Sequence, residues 1–540
     1  TAGGYARGRG EDHPRRRTPT HRLCELQPRH AGTRPQPVGR EVQGDAGAAR
    51  GYVSAYAARG ERGATGAEVV IGNMQVLLSI LLSVWFVSFT DKGGSERVAL
   101  SETALAMRQA HGIALDSLDY AVSDAYLDSI RSAGAHIFHT SRWLNGATVK
   151  ADDAAIQRIE NMPFVQNVEL TRDDAPPSLL LQQKRDKQRE TAQVANNGFA
   201  REQLELYNLL PLHEMGFKGQ GIRMAIIDGG FLNVNTLQAF DSVRDQLIGY
   251  YDFTDDTCDF FGETGSHGTM CLSAVAARME NYEGAATQAQ YYLMRTEEYD
   301  TESPKELDNW VSAIELADSL GIQITSTSLG YSEFDNEAYN FTYADMNGVN
   351  TRGSRAAAIA ARKGMLVVVA AGNEGNKPWK YITAPADADS ILTVGAVNTQ
   401  GSIGAFSSYG PTWDGRVKPE VCAVGWGATL VSPNNGEVTQ SNGTSFACPL
   451  LAGMAACLWS ALPHESAMQI RQRIIRSADR FNTPDDHYGY GIPDAWAAYT
   501  GSTGVDYPET QDNAPAARKV LLNGTVRIIV NGKQYTLLGI

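Results

Sequence analysis

The sequence predicts an α/β fold, a parallel sheet covered by helices on both faces and preceded by a small α+β domain. Two observations carry this. Five near-continuous apolar stretches, at 224–227, 291–294, 322–328, 366–370 and 391–397, alternate with helical patterns at 267–277, 304–320 and 354–363. Strands buried on both faces read as unbroken apolar runs, and strand–helix alternation builds parallel sheets. Upstream, residues 118–170 show shorter strands whose alternation suits a sheet with one covered face.

At 540 residues and 43% hydrophobic content, the chain is globular and long enough for several domains. Its net charge of −14 hides a split. Residues 1–73 carry 12 arginines against 7 acidic residues, leaving 35 basic and 54 acidic residues for the remainder. So acidic a body argues against nucleic acid as a partner. The six cysteines form no disulfide framework in a chain this long, and none has zinc-ligand spacing, so no metal site is assigned. Cys271 and Cys448 read as small buried fillers, with a thiol pair as the alternative.

In chain order, residues 1–73 are Arg-, Gly- and Ala-rich without apolar periodicity. They read as a disordered or mis-called extension, with an arginine-rich arm for an acidic partner as the alternative. Met74 would be the natural first residue. The apolar run at 74–90 is short for a membrane span of about 20 residues, so no stable span is expected. It suits the apolar region of a secretory signal peptide, an uncleaved anchor being the runner-up. Its end, 84–89, reads alternatively as the first strand of the next domain.

Residues 91–172 form the small domain. A helix at 125–133, strands within 135–150 broken at Asn145-Gly146, a helix at 152–161 and a strand at 164–170 complete a β-α-β-β-α-β order, which predicts a ferredoxin-like module. The polar stretch 173–198, with Pro176-Pro177 and Lys184-Arg185, is a linker. The sheet domain covers 199–500. The tail, 501–540, turns polar and then shows Asn523-Gly524 and Asn531-Gly532 between alternating runs, the pattern of β-hairpins.

The chemistry concentrates at four glycine-flanked motifs. Gly443-Thr-Ser-Phe-Ala-Cys-Pro449 places Ser445 before an apolar run that reads as a buried helix. A serine there is often only an N-cap. It is also where free N–H groups and the helix dipole can hold an oxyanion. A serine hydroxyl needs a base to become a nucleophile. His267, in Gly265-Ser-His-Gly-Thr269, opens another apolar helix, and Asp228 ends an apolar strand before Gly229-Gly230. Asn373 ends a fourth motif, Ala370-Ala371-Gly372-Asn373, after an apolar strand. Ligands in open α/β sheets bind beyond the carboxyl ends of the strands, where Asp228, Gly330 and Asn373 all fall.

These motifs, in the order Asp, His, Ser that subtilisin itself has, resemble the subtilase superfamily of serine proteases (peptidase family S8) over about 199–500. The resemblance implies a subtilisin-like sheet and an Asp228–His267–Ser445 triad, with Asn373 donating to the oxyanion. It implies that Ser328, Leu329 and Gly330 pair with substrate as an added strand, and that Ala371 and Gly372 wall the first pocket. The segment 406–420 also looks like the one that precedes the serine motif in this family. Asp228 followed by Gly-Gly departs mildly from the usual Ser/Thr-Gly. The small domain resembles the family's propeptide, an intramolecular inhibitor, with maturation cleavage in the linker. A secreted zymogen that cleaves proteins or peptides follows; the tail's similarity to short sorting segments of Bacteroidetes secreted proteins implies cell-surface association, a small β appendage being the alternative. No cofactor is implied. Structural calcium is common in subtilases, but no ligand set can be assigned. The competing reading is a catalytically silent subtilase fold that binds peptides. An α/β-hydrolase esterase is disfavoured, because that fold orders its triad Ser, acid, His around G-x-S-x-G.

Overall fold

The computed structural model describes residues 82–173, 193–194, 199–254, 259–262, 265–298 and 301–501, together with the backbone of three strands between 518 and 536. The expectations for residues 1–73, for 74–81 and for cleavage within 174–192 lie outside these residues.

The small domain runs β1 (Ser83–Phe89), α1 (Glu102–Ala110), α2 (Asp124–Ser132), β2 (His136–Ser141), β3 (Gly146–Ala151), α3 (Asp153–Glu160) and β4 (Val165–Arg172). Its sheet order is β2-β3-β1-β4, every pair antiparallel. The boundary at residue 90 is corrected here. The stretch 84–89 belongs to a central strand between β3 and β4, so the small domain begins at Ser83. Alternation explains it: Val87 and Phe89 join the domain's own core, while Phe86, on the opposite face, lies under the Arg352 guanidinium of the large domain. Helix α3 starts where Asp152 accepts the Ala155 N–H at 2.7 Å, and Asn145 takes the left-handed conformation (φ 50°) that an Asn-Gly turn requires. Helix α1 and the loop after it were not expected from the sequence.

The large domain continues with β5 (Gln193–Val194), α4 (Phe199–Glu205), α5 (Leu210–Glu214), β6 (Arg223–Asp228), α6 (Asp241–Gln246), β7 (Leu247–Asp252) and α7 (His267–Ala276). Next come β8 (Arg278–Met279), β9 (Tyr282–Glu283), β10 (Gln290–Arg295), α8 (Pro304–Leu320), β11 (Ile324–Thr327), α9 (Arg352–Arg362), β12 (Leu366–Ala370) and β13 (Leu392–Val397). It closes with β14 (Val421–Val424), β15 (Ala428–Val431), β16 (Val438–Ser441), α10 (Thr444–Ala461), α11 (Ala467–Ser477) and α12 (Ala495–Thr500). The tail strands β17 (Arg518–Leu522), β18 (Thr525–Val530) and β19 (Lys533–Thr536) pair antiparallel in sequence order.

The main sheet is seven parallel strands in the order β14-β13-β12-β11-β6-β10-β7. Side chains alternate between its two covers. Met224, Ile226, Leu366 and Val368 join the core under α7 and α10, whereas Ala225, Ile227, Val367 and Val369 join the core under α8 and α9. That two-sided burial is why these strands read as unbroken apolar runs. Helix α10 is long and apolar enough to cross a membrane, yet 89% of it is buried in the core. The chain passes from β10 on one side of β6 to β11 on the other, so the switch in strand order opens a crevice at the carboxyl ends of β6 and β11.

The small domain covers the outer sides of α8 and α9. Trp143 enters the core beneath them. Around it, charges pair. Arg108 forks onto both Asp318 oxygens at 2.8 Å, Arg142 reaches Asp318 at 2.6 Å, and Lys363 holds Asp119 at 2.6 Å. Arg352 bridges Glu169 and Asp308, at 2.7 Å each.

Candidate active site

Asp228 is the last residue of β6 and is fully buried. One carboxylate oxygen accepts from the Gly229 N–H at 2.7 Å and faces His267 Nδ1 at 2.6 Å. His267 opens α7, and the close approach of β6 and α7 depends on glycine. Gly230 has φ +150°, and a Cβ on it would lie 2.8 Å from Gly265 Cα. Burial alone would lower the His267 pKa. The Asp228 carboxylate outweighs it and, with a contribution from Cys271, raises that pKa well above the ordinary histidine value.

Ser445 lies in the first turn of α10, where the backbone N–H has no helical acceptor. Its Oγ lies 3.5 Å from the Ser328 carbonyl, and among the described residues it makes no hydrogen bond to His267. Asn373 follows β12 and faces the same turn: its Oδ1 accepts the Thr444 N–H at 2.9 Å and the Thr444 hydroxyl at 3.1 Å. Since a backbone N–H can only donate, this fixes which end of the amide faces Thr444 and leaves Nδ2 as the donor end.

The expected substrate segments are nearby. Ser328 donates to the Ser445 carbonyl at 2.7 Å, joining β11 to α10. Gly330 is exposed, and the backbone groups of Leu329 and Gly330 have no backbone partner among the described residues. Those of Ala371 and Gly372 are taken: Ala371 pairs with Val394 and Thr383, while Gly372 pairs with the Thr444 hydroxyl and Ser408. One segment therefore offers a free strand edge and the other a wall.

The sequence matches the subtilase family, peptidase S8, over residues 219–491, and the peptidase S8 propeptide domain of Bacteroidota over residues 84–191. The chain belongs to the subtilase family. Subtilisin DY of Bacillus licheniformis is 30% identical over 52% of this chain and 92% of its own length. The minor extracellular protease Epr of Bacillus subtilis is 25% identical over 68% of this chain, which spans only about half (51%) of Epr. Among solved structures, MycP1 from Mycobacterium smegmatis is 22% identical, with a TM-score of 0.47 over 60% of this chain and 91% of that one. The small domain is the propeptide domain.

This subtilase also holds site residues that motif reading passed over. Pro449, four residues after Ser445, has no N–H, so the Ser445 carbonyl is free of the helical ladder. Ser328 and the Cys271 thiol (3.4 Å) take it instead. Cys271, one turn along α7, lies 3.7 Å from His267 Nδ1, and burial pushes its thiol up to about 12, so it remains a neutral donor. The proline spacing was visible in the sequence; the cysteine contact was not. Cys271, Cys422, Cys448 and Cys457 are all free and buried. Among the described residues, two sets of ligand-type side chains converge within 4.8 Å: Asp228, His267 and Cys271, already in contact at the site, and Glu297, Glu302 and Glu306. In the second set, Glu306 accepts the Glu298 and Ser303 N–H groups and so caps its own helix.

Proposed function

We propose that the chain is a secreted serine endopeptidase, made as a zymogen, that hydrolyses peptide bonds through an acyl-enzyme. The observation that carries this reading is the 2.6 Å contact between Asp228 and His267 in the crevice that Ser445 lines. Asp228 holds the imidazole by Nδ1, so Nε2 is left to take the Ser445 proton. Ser445 Oγ then bonds to the substrate carbonyl carbon. The Asn373 amide and the Ser445 backbone N–H hold the resulting oxyanion. His267 returns the proton to the leaving amine, and water releases the acyl group by the same route. All the groups for this chemistry come from the chain, so the reading requires no cofactor. Extended substrate pairs with Leu329 and Gly330 as an added strand. The propeptide domain on α8 and α9 is the intramolecular inhibitor, with maturation in 173–198. Secretion rests on the apolar run from Met74 and on a relative named as extracellular.

The test is intact mass over time for the wild-type chain and Ser445→Ala, both expressed from Met74. Wild type should lose the segment up to the linker and Ser445→Ala should stay whole. If both stay whole, a fluorophosphonate probe is added after the linker is cut with another protease. Labelling then identifies a zymogen activated in trans. A folded, unlabelled protein would replace the protease by a peptide-binding subtilase fold.

A further inference from the structure

Three segments meet beside Ser445. Ser328-Leu329-Gly330 forms one wall and Ala371-Gly372 the other. Across the far end runs Thr383-Ala384, tied to both. The Thr383 N–H donates to the Ala371 carbonyl at 3.3 Å, and Ala384 exchanges hydrogen bonds with Tyr331, the residue after Gly330, at 2.9 and 3.1 Å. The Thr383 side chain stands between the two glycines. A Cβ on Gly330 would lie 2.1 Å from its Oγ1; a Cβ on Gly372 would lie 3.0 Å from the same oxygen and 3.3 Å from Cγ2. Thr383 is only 3% exposed, and its hydroxyl makes no hydrogen bond among the described residues. A buried hydroxyl without a partner is unfavourable, so a hydrogen-bonding group that a bound side chain brings to Oγ1 is a gain.

We propose that Thr383 is the floor of the first substrate pocket and restricts the residue on the acyl side of the scissile bond to short side chains, alanine and serine above all. This rests on the protease reading given above. The threonine methyl and hydroxyl occupy the depth that a leucine or phenylalanine side chain would need. The floor cannot drop, because its backbone is hydrogen-bonded to both walls. A packed site resists added volume, and a single methylene in such a pocket is worth roughly 10–200-fold in discrimination. A serine side chain adds a partner for the unpaired Oγ1.

The experiment is a panel of peptide p-nitroanilides identical except for Ala, Ser, Leu or Phe before the scissile bond, cleaved by the full chain after its linker has been processed. In the wild type, kcat/KM for Ala and Ser should exceed that for Phe by about 100-fold or more. Thr383→Gly should raise the Phe-to-Ala ratio at least about tenfold. Thr383→Val, which keeps the volume, should preserve the rejection of Phe and lower the Ser-to-Ala ratio several-fold; it carries the test if the glycine variant does not fold. A wild type that prefers Leu or Phe, or ratios that ignore residue 383 in folded enzyme, would overturn this inference alone. If no peptide is cleaved and a fluorophosphonate leaves Ser445 unlabelled, the protease reading falls and this inference with it.

Discussion

The two covers of the main sheet differ in chemistry. On one face, α10 buries Phe446, Leu450, Leu451, Met454 and Leu458 completely among strand side chains. On the other, α8 and α9 are apolar towards the sheet, but the residues they and the following turn turn outward are Asp308, Glu315, Asp318, Arg352 and Lys363. Each of these is buried beneath the propeptide domain and meets partners there, such as Arg108, Arg142 and Glu169. On the zymogen reading proposed above, the difference separates a contact built to last from one built to part. Apolar surface exposed after release would leave a sticky patch. Charged surfaces rehydrate, and buried ion pairs add little net stability even though losing one partner is costly.

Stopping the parting altogether is the largest way to break this comparison. Ser445→Ala should lower peptide hydrolysis by roughly 10⁶-fold, a magnitude known from subtilisin itself. It touches neither cover, so the variant should keep wild-type melting behaviour with the propeptide domain retained; rate assays and calorimetry check both. Next is Asp318→Ala, which strands Arg108 and Arg142. It should weaken propeptide docking by about 3–5 kcal/mol, read as faster dissociation of the propeptide domain once the linker is cut. Leu451→Ala, on the lasting side, should instead cost about 2–5 kcal/mol of global stability and leave that dissociation rate alone. Asn373→Ala acts between the two covers. It should lower kcat roughly 10²–10³-fold with little change in KM, again a subtilisin magnitude; an unchanged kcat in steady-state assays would remove Asn373 from the mechanism.

The elements of both covers were legible in the sequence, but the charge pairs that join the propeptide domain to α8 and α9 were not. Strands β6 and β12 announced themselves because both faces are buried. The motif glycines exposed the site for a related reason: at Gly230 and Gly265, backbone meets backbone and no side chain fits. Strand β7 was missed because it is a half-exposed edge strand with no apolar run, and β14 because it has only four residues. Arg108, Cys271 and Thr383 work through partners distant in sequence or through a precise approach within the fold. Arg108 meets Asp318 across 210 residues, and local periodicity carries no trace of such a pairing.

The smallest effect sharpens the comparison through pH. Burial under the propeptide domain raises the Asp308 pKa to about 6, against the pull of Arg352. Glu315 and Asp318 are raised by burial as well. A carboxyl group with a higher pKa in the docked state binds its proton more tightly there. Its contribution to docking is therefore fully present below its undocked pKa, near 4, and is lost as pH rises through about 6. Lys92 shifts the other way, to about 8, because burial disfavours its charge, so it titrates above this window. Two pKa units at one carboxyl set a ceiling of about a hundredfold in affinity. The cut propeptide domain should thus leave up to about 30-fold more readily at pH 7 than at pH 4.5, where the undocked carboxyl is already largely ionised, and Asp308→Asn should flatten the dependence. The apolar cover responds in the opposite sense: burial lowers the pKa of His213, which packs against Cys457 of α10, so α10 packing should weaken only as the pH falls, and a loss of that packing on raising the pH from 4.5 to 7 would contradict the division drawn here.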